Sequence, residues 1–490
     1  MFSDDSRWVI VCHREPWLGY ENDLKLVLPI VVQMSVATDS LVSSSSSDDF
    51  AALLDAELDS DSSDGSPDQD CSDDEDNNAE GASASILRIK RRKVLEMDTR
   101  VEVQGSNSNG FTEKAIEEAT TDSCTHPGFL RDMCICCGKR MDDGAGVAFG
   151  YIHKDLRLGS DEVSRLRDAD VRTLLRNKKL YLVLDLDHTL LNSTRLEDIN
   201  SEEDYLKSQT DSFEDISKGS LFRLDKIRMM TKLRPYVRTF LQEASNMFEM
   251  YIYTMGERAY AIEMAKLLDP GNVYFNSRVI SKADCTRRHQ KGLDVVLGKD
   301  SAVLILDDTE AVWQRHKDNL ILMERYHYFS SSCRQFGFNC KSLSELKGDE
   351  NEADGALATV LGVLKKIHSN FFNPEHGDDF AARDVRQVLR KIRNEILRGC
   401  KIVFSRVFST ESQAENHHLW KMAEQLGATC AVEVDSSVTH VVSEYAGTEK
   451  SRWAVQNGNF LVHPKWLEAA NYLWSKKPEQ QFPVELTKSK

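Results

Sequence analysis

The sequence has no apolar run of about 18 or more residues, so it offers no candidate membrane-spanning helix. It has no excess of basic residues. Its 62 Lys and Arg against 79 Asp and Glu give a formal net charge of −17, which argues against a protein that coats nucleic acid. It also lacks a dense, even set of cysteines. The 11 present are scattered over 490 residues, which argues against a secreted disulfide framework and for a reducing compartment, cytosol or nucleus. The apolar stretch Leu26 to Val32 has no basic region before it and does not read as a signal peptide. Met34 opens a segment that reads as a second start site, which leaves residues 1–33 as an extension with no assigned role.

The length allows two to four domains, and a 41% hydrophobic fraction can build cores over part of it. Residues 1–120 read as mostly disordered, because the Ser- and Asp-rich tract at about 39–82 cannot bury enough apolar surface to offset its ordering entropy. Arg88-Ile89-Lys90-Arg91-Arg92-Lys93 follows and reads as a nuclear import signal or, more blandly, a solvated basic patch. Residues 121–175 hold a Cys/His segment and a lead-in helix. Cys124, His126, Cys134 and Cys137 form a Cys-x-His and a Cys-x-x-Cys that offer four tetrahedral zinc ligands or a small structural thiol cluster. Cys136 leaves the pairing ambiguous.

Residues 176–346 alternate strand and helix patterns. Leu180–Leu184, Met250–Tyr253 and Ala302–Leu306 read as apolar strands. Val237, Phe240, Leu241 and Ala244 recur at helical spacing after Arg234-Pro235, and Ala259, Ile262, Ala265 and Leu268 do so before Pro270-Gly271. Apolar strands alternating with helices imply a Rossmann-like parallel sheet with its ligand at the carboxyl ends of the strands. Residues 193–231 are polar and poorly periodic, and read as an insertion that caps or walls the site. Residues 347–395 read as a helical linker. Residues 396–487 read as a second, small α/β domain with strands near 401–407, 430–434 and 439–443 and helices near 415–426, 449–456 and 464–474.

The chemistry sits at strand ends. The first strand runs into Asp185-Leu186-Asp187-His188-Thr189 and the third into Asp307-Asp308. Desolvated carboxylates repel one another unless a cation or a phosphoryl group joins them. Asp185 reads as a nucleophile that attacks phosphorus and forms an aspartyl-phosphate, with Asp187 as general acid and then base. Asp185, the main-chain oxygen of Asp187, and Asp307 and Asp308 offer hard oxygen ligands to Mg²⁺; Asp307-Asp308 as a plain helix cap is the competing reading. Thr254, ending the second strand, supplies a hydroxyl for the phosphoryl oxygens. The Asp-x-Asp-x-Thr pattern alone arises by chance in about one chain in ten of this length; its place at the end of an apolar strand gives it weight.

Taken together, Asp185-x-Asp187-x-Thr189, Thr254, Lys291 and Asp307-Asp308 resemble the haloacid dehalogenase superfamily. Thr231-Lys232-Leu233-Arg234-Pro235 and Ile305 to Trp313 narrow the resemblance to Fcp-type phosphatases, as do Tyr326 to Phe329 and Lys341 to Leu346. Those enzymes act on the serine-rich heptads of the RNA polymerase II C-terminal domain. The plant members with a C-terminal BRCT domain are most alike, over about residues 120–490. The resemblance implies Thr254 and Lys291 on the phosphate, Asp308 on Mg²⁺ (Mn²⁺ or Co²⁺ substituting), and Thr189, Arg234 and Lys282 on the substrate side. Lys282 departs from the usual Arg and loses its bidentate fork.

The last domain resembles BRCT domains, with Trp466 as the late-helix anchor. Ser405 and Lys450 resemble the phosphate-gripping pair of that class, although Arg406 stands where a Gly often follows. The resemblance implies a nuclear, Mg²⁺-dependent protein serine phosphatase whose partner is the phosphorylated polymerase tail, with general transcription factors reached through the BRCT domain and no direct nucleic acid or membrane contact. The competing readings are a small-molecule phosphatase of the same superfamily and a phosphopeptide-binding scaffold without turnover.

Overall fold

The computed structural model describes residues 10–11, 31–32, 124–140, 144–338, 340–376, 380–408 and 413–484. The acidic tract, the basic cluster at 88–93 and Met34 lie outside them. Two short strands, β1 (Ile10–Val11) and β2 (Val31–Val32), pair in parallel. A small antiparallel sheet follows, built from β3 (Gly128–Leu130), β4 (Met133–Cys134), β5 (Val147–Ala148) and β6 (Leu156–Leu158) in the order β4-β3-β6-β5. Helix α1 (Ser160–Arg176) leads from it into the main sheet.

The main sheet uses β7 (Leu180–Leu184), β11 (Phe248–Tyr253), β12 (Val279–Ile280), β13 (Val303–Asp307) and β14 (Leu320–Leu322), all parallel, in the order β12-β11-β7-β13-β14. The three strands expected from the sequence are its centre. All five residues of β7 and all five of β13 are buried, as a sheet covered on both faces requires. Alternation splits their side chains between two cores. Leu180, Leu182, Leu184, Met250, Ile252, Leu304 and Leu306 enter one, and Tyr181, Val183, Tyr251, Tyr253, Val303 and Ile305 the other.

The insertion is more ordered than its polarity suggests. β8 (Leu191–Arg195), β9 (Leu221–Leu224) and β10 (Met229–Leu233) form an antiparallel sheet in the order β8-β10-β9. Helices α2 (Val237–Ser245) and α3 (Arg258–Leu268) occur where expected, but α3 buries Ala261, Met264, Leu267 and Leu268, with Ala259 exposed. Tyr260, near the start of this helix, points at Asp187 at the strand ends. After α4 (Ser330–Gln335) come α5 (Ala356–Phe371) and α6 (Val385–Arg393). These two are not a linker in the structural sense. Leu357, Val360, Leu361, Leu364, Ile367 and Phe371 join the core that holds Phe240, Leu241 and Ala244 of α2.

The last domain has a parallel sheet of β15 (Lys401–Ser405), β16 (Thr429–Ala431), β17 (His440–Ser443) and β18 (Phe460–Val462) in the order β16-β15-β17-β18. It carries α7 (His418–Gln425), α8 (Glu449–Gln456) and α9 (Lys465–Leu473). Trp466 is 0% exposed in its core, and its indole N–H donates to the Lys477 carbonyl at 2.9 Å.

Candidate active site

Strand register sets the site. Leu184 lies level with Ile252 on one side and Leu306 on the other, so Asp185, Tyr253 and Asp307 come next at one height on the carboxyl edge. The chain then turns sharply. The N–H groups of Thr189, Leu190 and Leu191 all donate to the Leu186 carbonyl, and His188 takes a left-handed φ of 64°. Leu186 is sealed in the core, which leaves Asp185 and Asp187 on either side of it.

Asp185, Asp307 and Asp308 bring carboxylate oxygens within 4.8 Å of one another. Lys291 lies between two of them, with Nζ 2.5 Å from Asp185 Oδ1 and 2.7 Å from Asp307 Oδ2. The Asp307 oxygens are also taken by Trp313 Nε1 at 2.8 Å and the Thr309 N–H at 2.8 Å. Asp308 accepts from Arg325 Nε at 2.6 Å and from the Thr309 hydroxyl at 3.0 Å, with the Thr189 hydroxyl at 3.5 Å. Burial raises the Asp185 pKa well above the carboxylate range, and Asp307, Asp308 and Asp187 add to it against the pull of Lys291. Burial raises Asp307 for the same reason, again opposed by Lys291. Burial disfavours the Lys291 charge too, yet the two aspartates more than compensate and hold it raised.

Asp187 stands apart from that group of three. Its Oδ1 accepts from the Tyr260 hydroxyl at 2.5 Å and its Oδ2 from Thr254 Oγ1 at 3.4 Å. Its carboxylate is therefore directed at Tyr260 and Thr254, and the sequence-based inclusion of Asp187 among the metal ligands does not extend to its side chain. Burial raises its pKa, and the Tyr260 hydrogen bond opposes that rise. Tyr260 also hydrogen-bonds the Ser193 hydroxyl at 2.8 Å, which meets Thr231 at 2.8 Å, so the insertion sheet fixes the tyrosine.

Of the substrate-side residues, Arg234 is placed differently from the expectation. Arg234 is 1% exposed, its guanidinium spent bidentately on Glu350 at 2.9 and 2.7 Å and on the carbonyls of His188 and Thr189. It holds the turn after Asp187 in shape, with four of its five N–H donors spent on protein acceptors and the group buried. Lys282 is half-buried beside the Thr254 end of the sheet, 3.6 Å from Glu257, with its N–H on the Gly256 carbonyl.

The two BRCT residues make separate contacts at the start of α8. The Ser405 hydroxyl is buried against Thr448 Oγ1 at 2.7 Å, while Lys450 Nζ donates to the Val432 carbonyl at 2.5 Å. Arg406 takes a left-handed φ of 52°, a conformation glycine adopts at less cost.

Sequence reasoning missed Tyr260 and Arg325. A tyrosine in a helix reads as core, and a lone arginine carries no motif signal. Trp313, in contrast, stands inside a stretch that carried the family resemblance.

The donor set suits a hard cation: all-oxygen, anionic, and repelling itself when unfilled. Residues 180–370 match the model of NLI interacting factor-like phosphatases, and residues 402–466 match that of the twin BRCT domain. The chain is 57% identical over 460 residues to RNA polymerase II C-terminal domain phosphatase-like 4 of Arabidopsis thaliana, covering 93% of this chain and 98% of that protein. The chain belongs to the RNA polymerase II C-terminal domain phosphatase family. Within that family it is 43% identical to Arabidopsis phosphatase-like 3, over 66% of this chain and 26% of the relative. The solved structure of Fcp1, an essential RNA polymerase II CTD phosphatase, is similar at 25% identity with a TM-score of 0.52, covering 66% of this chain and all of that one.

Proposed function

We propose that the chain is a Mg²⁺-dependent protein serine phosphatase that removes phosphate from the heptad repeats of the RNA polymerase II C-terminal domain and so regulates transcription in the nucleus. The observation that carries the chemistry is the convergence of the Asp185, Asp307 and Asp308 carboxylates, with Lys291 bridging Asp185 and Asp307 and Asp187 held separately by Tyr260. The substrate follows from family membership.

Lys291 takes one oxygen of Asp185 and leaves the other for in-line attack on phosphorus, which forms an aspartyl-phosphate. Asp187, held apart from the other carboxylates by Tyr260 and Thr254, gives a proton to the departing serine oxygen and then serves as base for the water that hydrolyses the acyl-phosphate. Thr254 and Lys291 are donors for the equatorial phosphoryl oxygens. Asp185 and Asp308, with the main-chain oxygen of Asp187, would hold Mg²⁺, which neutralises charge between an anionic nucleophile and an anionic phosphate. Asp307 already accepts from Lys291, Trp313 and Thr309, so its main part is to keep Lys291 in place while it borders the metal position.

The test uses purified full-length chain with phosphoserine heptad peptides and, separately, a panel of metabolite phosphates. Phosphate release from the peptides alone is expected, abolished by a chelator and restored by Mg²⁺. Release from metabolites instead would favour a small-molecule phosphatase, and peptide binding without release a scaffold.

A further inference from the structure

We propose that Cys124, His126, Cys134 and Cys137 bind one structural zinc ion, at a site separate from the catalytic carboxylates. The ligand atoms of these four residues lie within 4.8 Å of one another. None of the three cysteines is disulfide-bonded. Cys137 Sγ is 3.4 Å from His126 Nδ1. Ordinary Zn–S and Zn–N lengths put a tetrahedral S···N edge at about 3.6 Å, so this edge is already near its metal-bound size.

The backbone is shaped around the sulfurs. Arg131 and Asp132, both at positive φ (48° and 64°), close a two-residue hairpin between β3 and β4 that delivers Cys134. From Cys134 the chain makes a tight knuckle. The Cys136 N–H points at Cys134 Sγ at 3.4 Å, the Gly138 N–H donates to the Cys134 carbonyl at 2.9 Å, and the Cys134 N–H donates to the Lys139 carbonyl at 2.9 Å. Gly138 stands at φ 73°, where glycine alone is unstrained. His126 itself is left-handed at φ 47°, a conformation that costs energy unless something holds the residue there.

The hairpin is anchored at its base, where β3 pairs with β6 and Phe129 is buried, and open at its tip. Leu130, Met133 and Ile135 are 41%, 52% and 57% exposed, so the hairpin tip builds almost no apolar core of its own. A metal cross-link is the usual substitute in so small a unit. Three thiolates and a neutral imidazole match zinc in charge and softness, and they do not match the hard cation of the carboxylate site. Cys136 lies outside the ligand set.

The experiment measures metal content of full-length protein purified under reducing conditions from zinc-supplied cells. About one zinc per chain is expected. Cys134→Ser and Cys137→Ser are expected to lose it, while Cys136→Ser retains it. Should the ligand variants fail to fold, thiol alkylation of the native chain decides. Cys124, Cys134 and Cys137 are then protected until a strong chelator is added, while Cys136 reacts at once. Replacement by Co²⁺ gives strong thiolate-to-cobalt absorption, which a carboxylate site cannot produce. Native chain with less than about one-tenth of a zinc per chain, a Cys134–Cys137 disulfide, or equal loss of metal in Cys136→Ser would overturn the proposal. A zinc-bearing chain inactive on phosphopeptides would leave it standing and count against the phosphatase reading alone.

Discussion

Asp187 is pulled in two directions: burial keeps its proton on, and the Tyr260 hydroxyl, 2.5 Å away, favours the ionised form. Tyr260→Phe removes the second influence, so the Asp187 pKa rises further. On the proposed mechanism Asp187 is protonated to expel the serine, so the alkaline limb of the kcat/KM profile should move to higher pH, with a loss of about tenfold at the optimum. An unchanged limb would separate Tyr260 from the acid. Asp185→Asn should lower kcat by at least about 10³-fold without altering the melting temperature much, measured by phosphate release and calorimetry. The clustering of Asp185, Asp187 and Lys291 at the carboxyl ends of the strands was legible in the sequence because strand ends and a family pattern marked them. Arg234 was legible as important but not as buried, since its bidentate partner Glu350 lies 116 residues away and sequence spacing carries no sign of it.

At the scale of elements, β7, β11 and β13 were readable because both faces are covered and the apolar runs are continuous. The antiparallel sheet of β8, β9 and β10 was not, because its strands interrupt their apolar positions with polar residues such as Asn192, Thr194 and Lys232. Helix α3 was readable in place but not in rotation. Its apolar residues run nearly all round, so periodicity alone did not choose between Ala259 and Ala261. Ala261→Leu should cost about 1–3 kcal/mol by overpacking, while Ala259→Leu should stay within about 0.5 kcal/mol. Paired denaturant titrations check both, and similar costs would mean that the helix is turned otherwise.

At the scale of whole domains, the last helix packs against the larger one. Trp474, just past α9, is buried in the catalytic core, and Arg393 of α6 donates to Asn471 at 2.5 Å and stacks over the Trp474 ring at 5.3 Å. Trp474→Ala should destabilise the chain by about 3–5 kcal/mol, read as one melting transition moved down as a block. Two separate transitions would argue for independent domains. Nearby, burial, together with Glu350, raises Glu324 to about 7 against the compensating charge of Arg234, and Glu468 of α9 adds to the rise. Between the ordinary value of 4.5 and about 7 the folded chain keeps a proton that the unfolded chain has lost, so this group's contribution weakens as pH rises through that window. Glu324→Gln should flatten the dependence, so that its melting temperature falls less than wild type between about pH 5 and about pH 8.

The shared tryptophan has a genetic corollary. A missense change in the terminal helix, far along the chain from the nucleophile, would loosen the packing behind the phosphoryl-transfer centre. In a screen it would be scored as loss of enzyme rather than loss of recruitment, and deleting the domain to study targeting would report on folding instead.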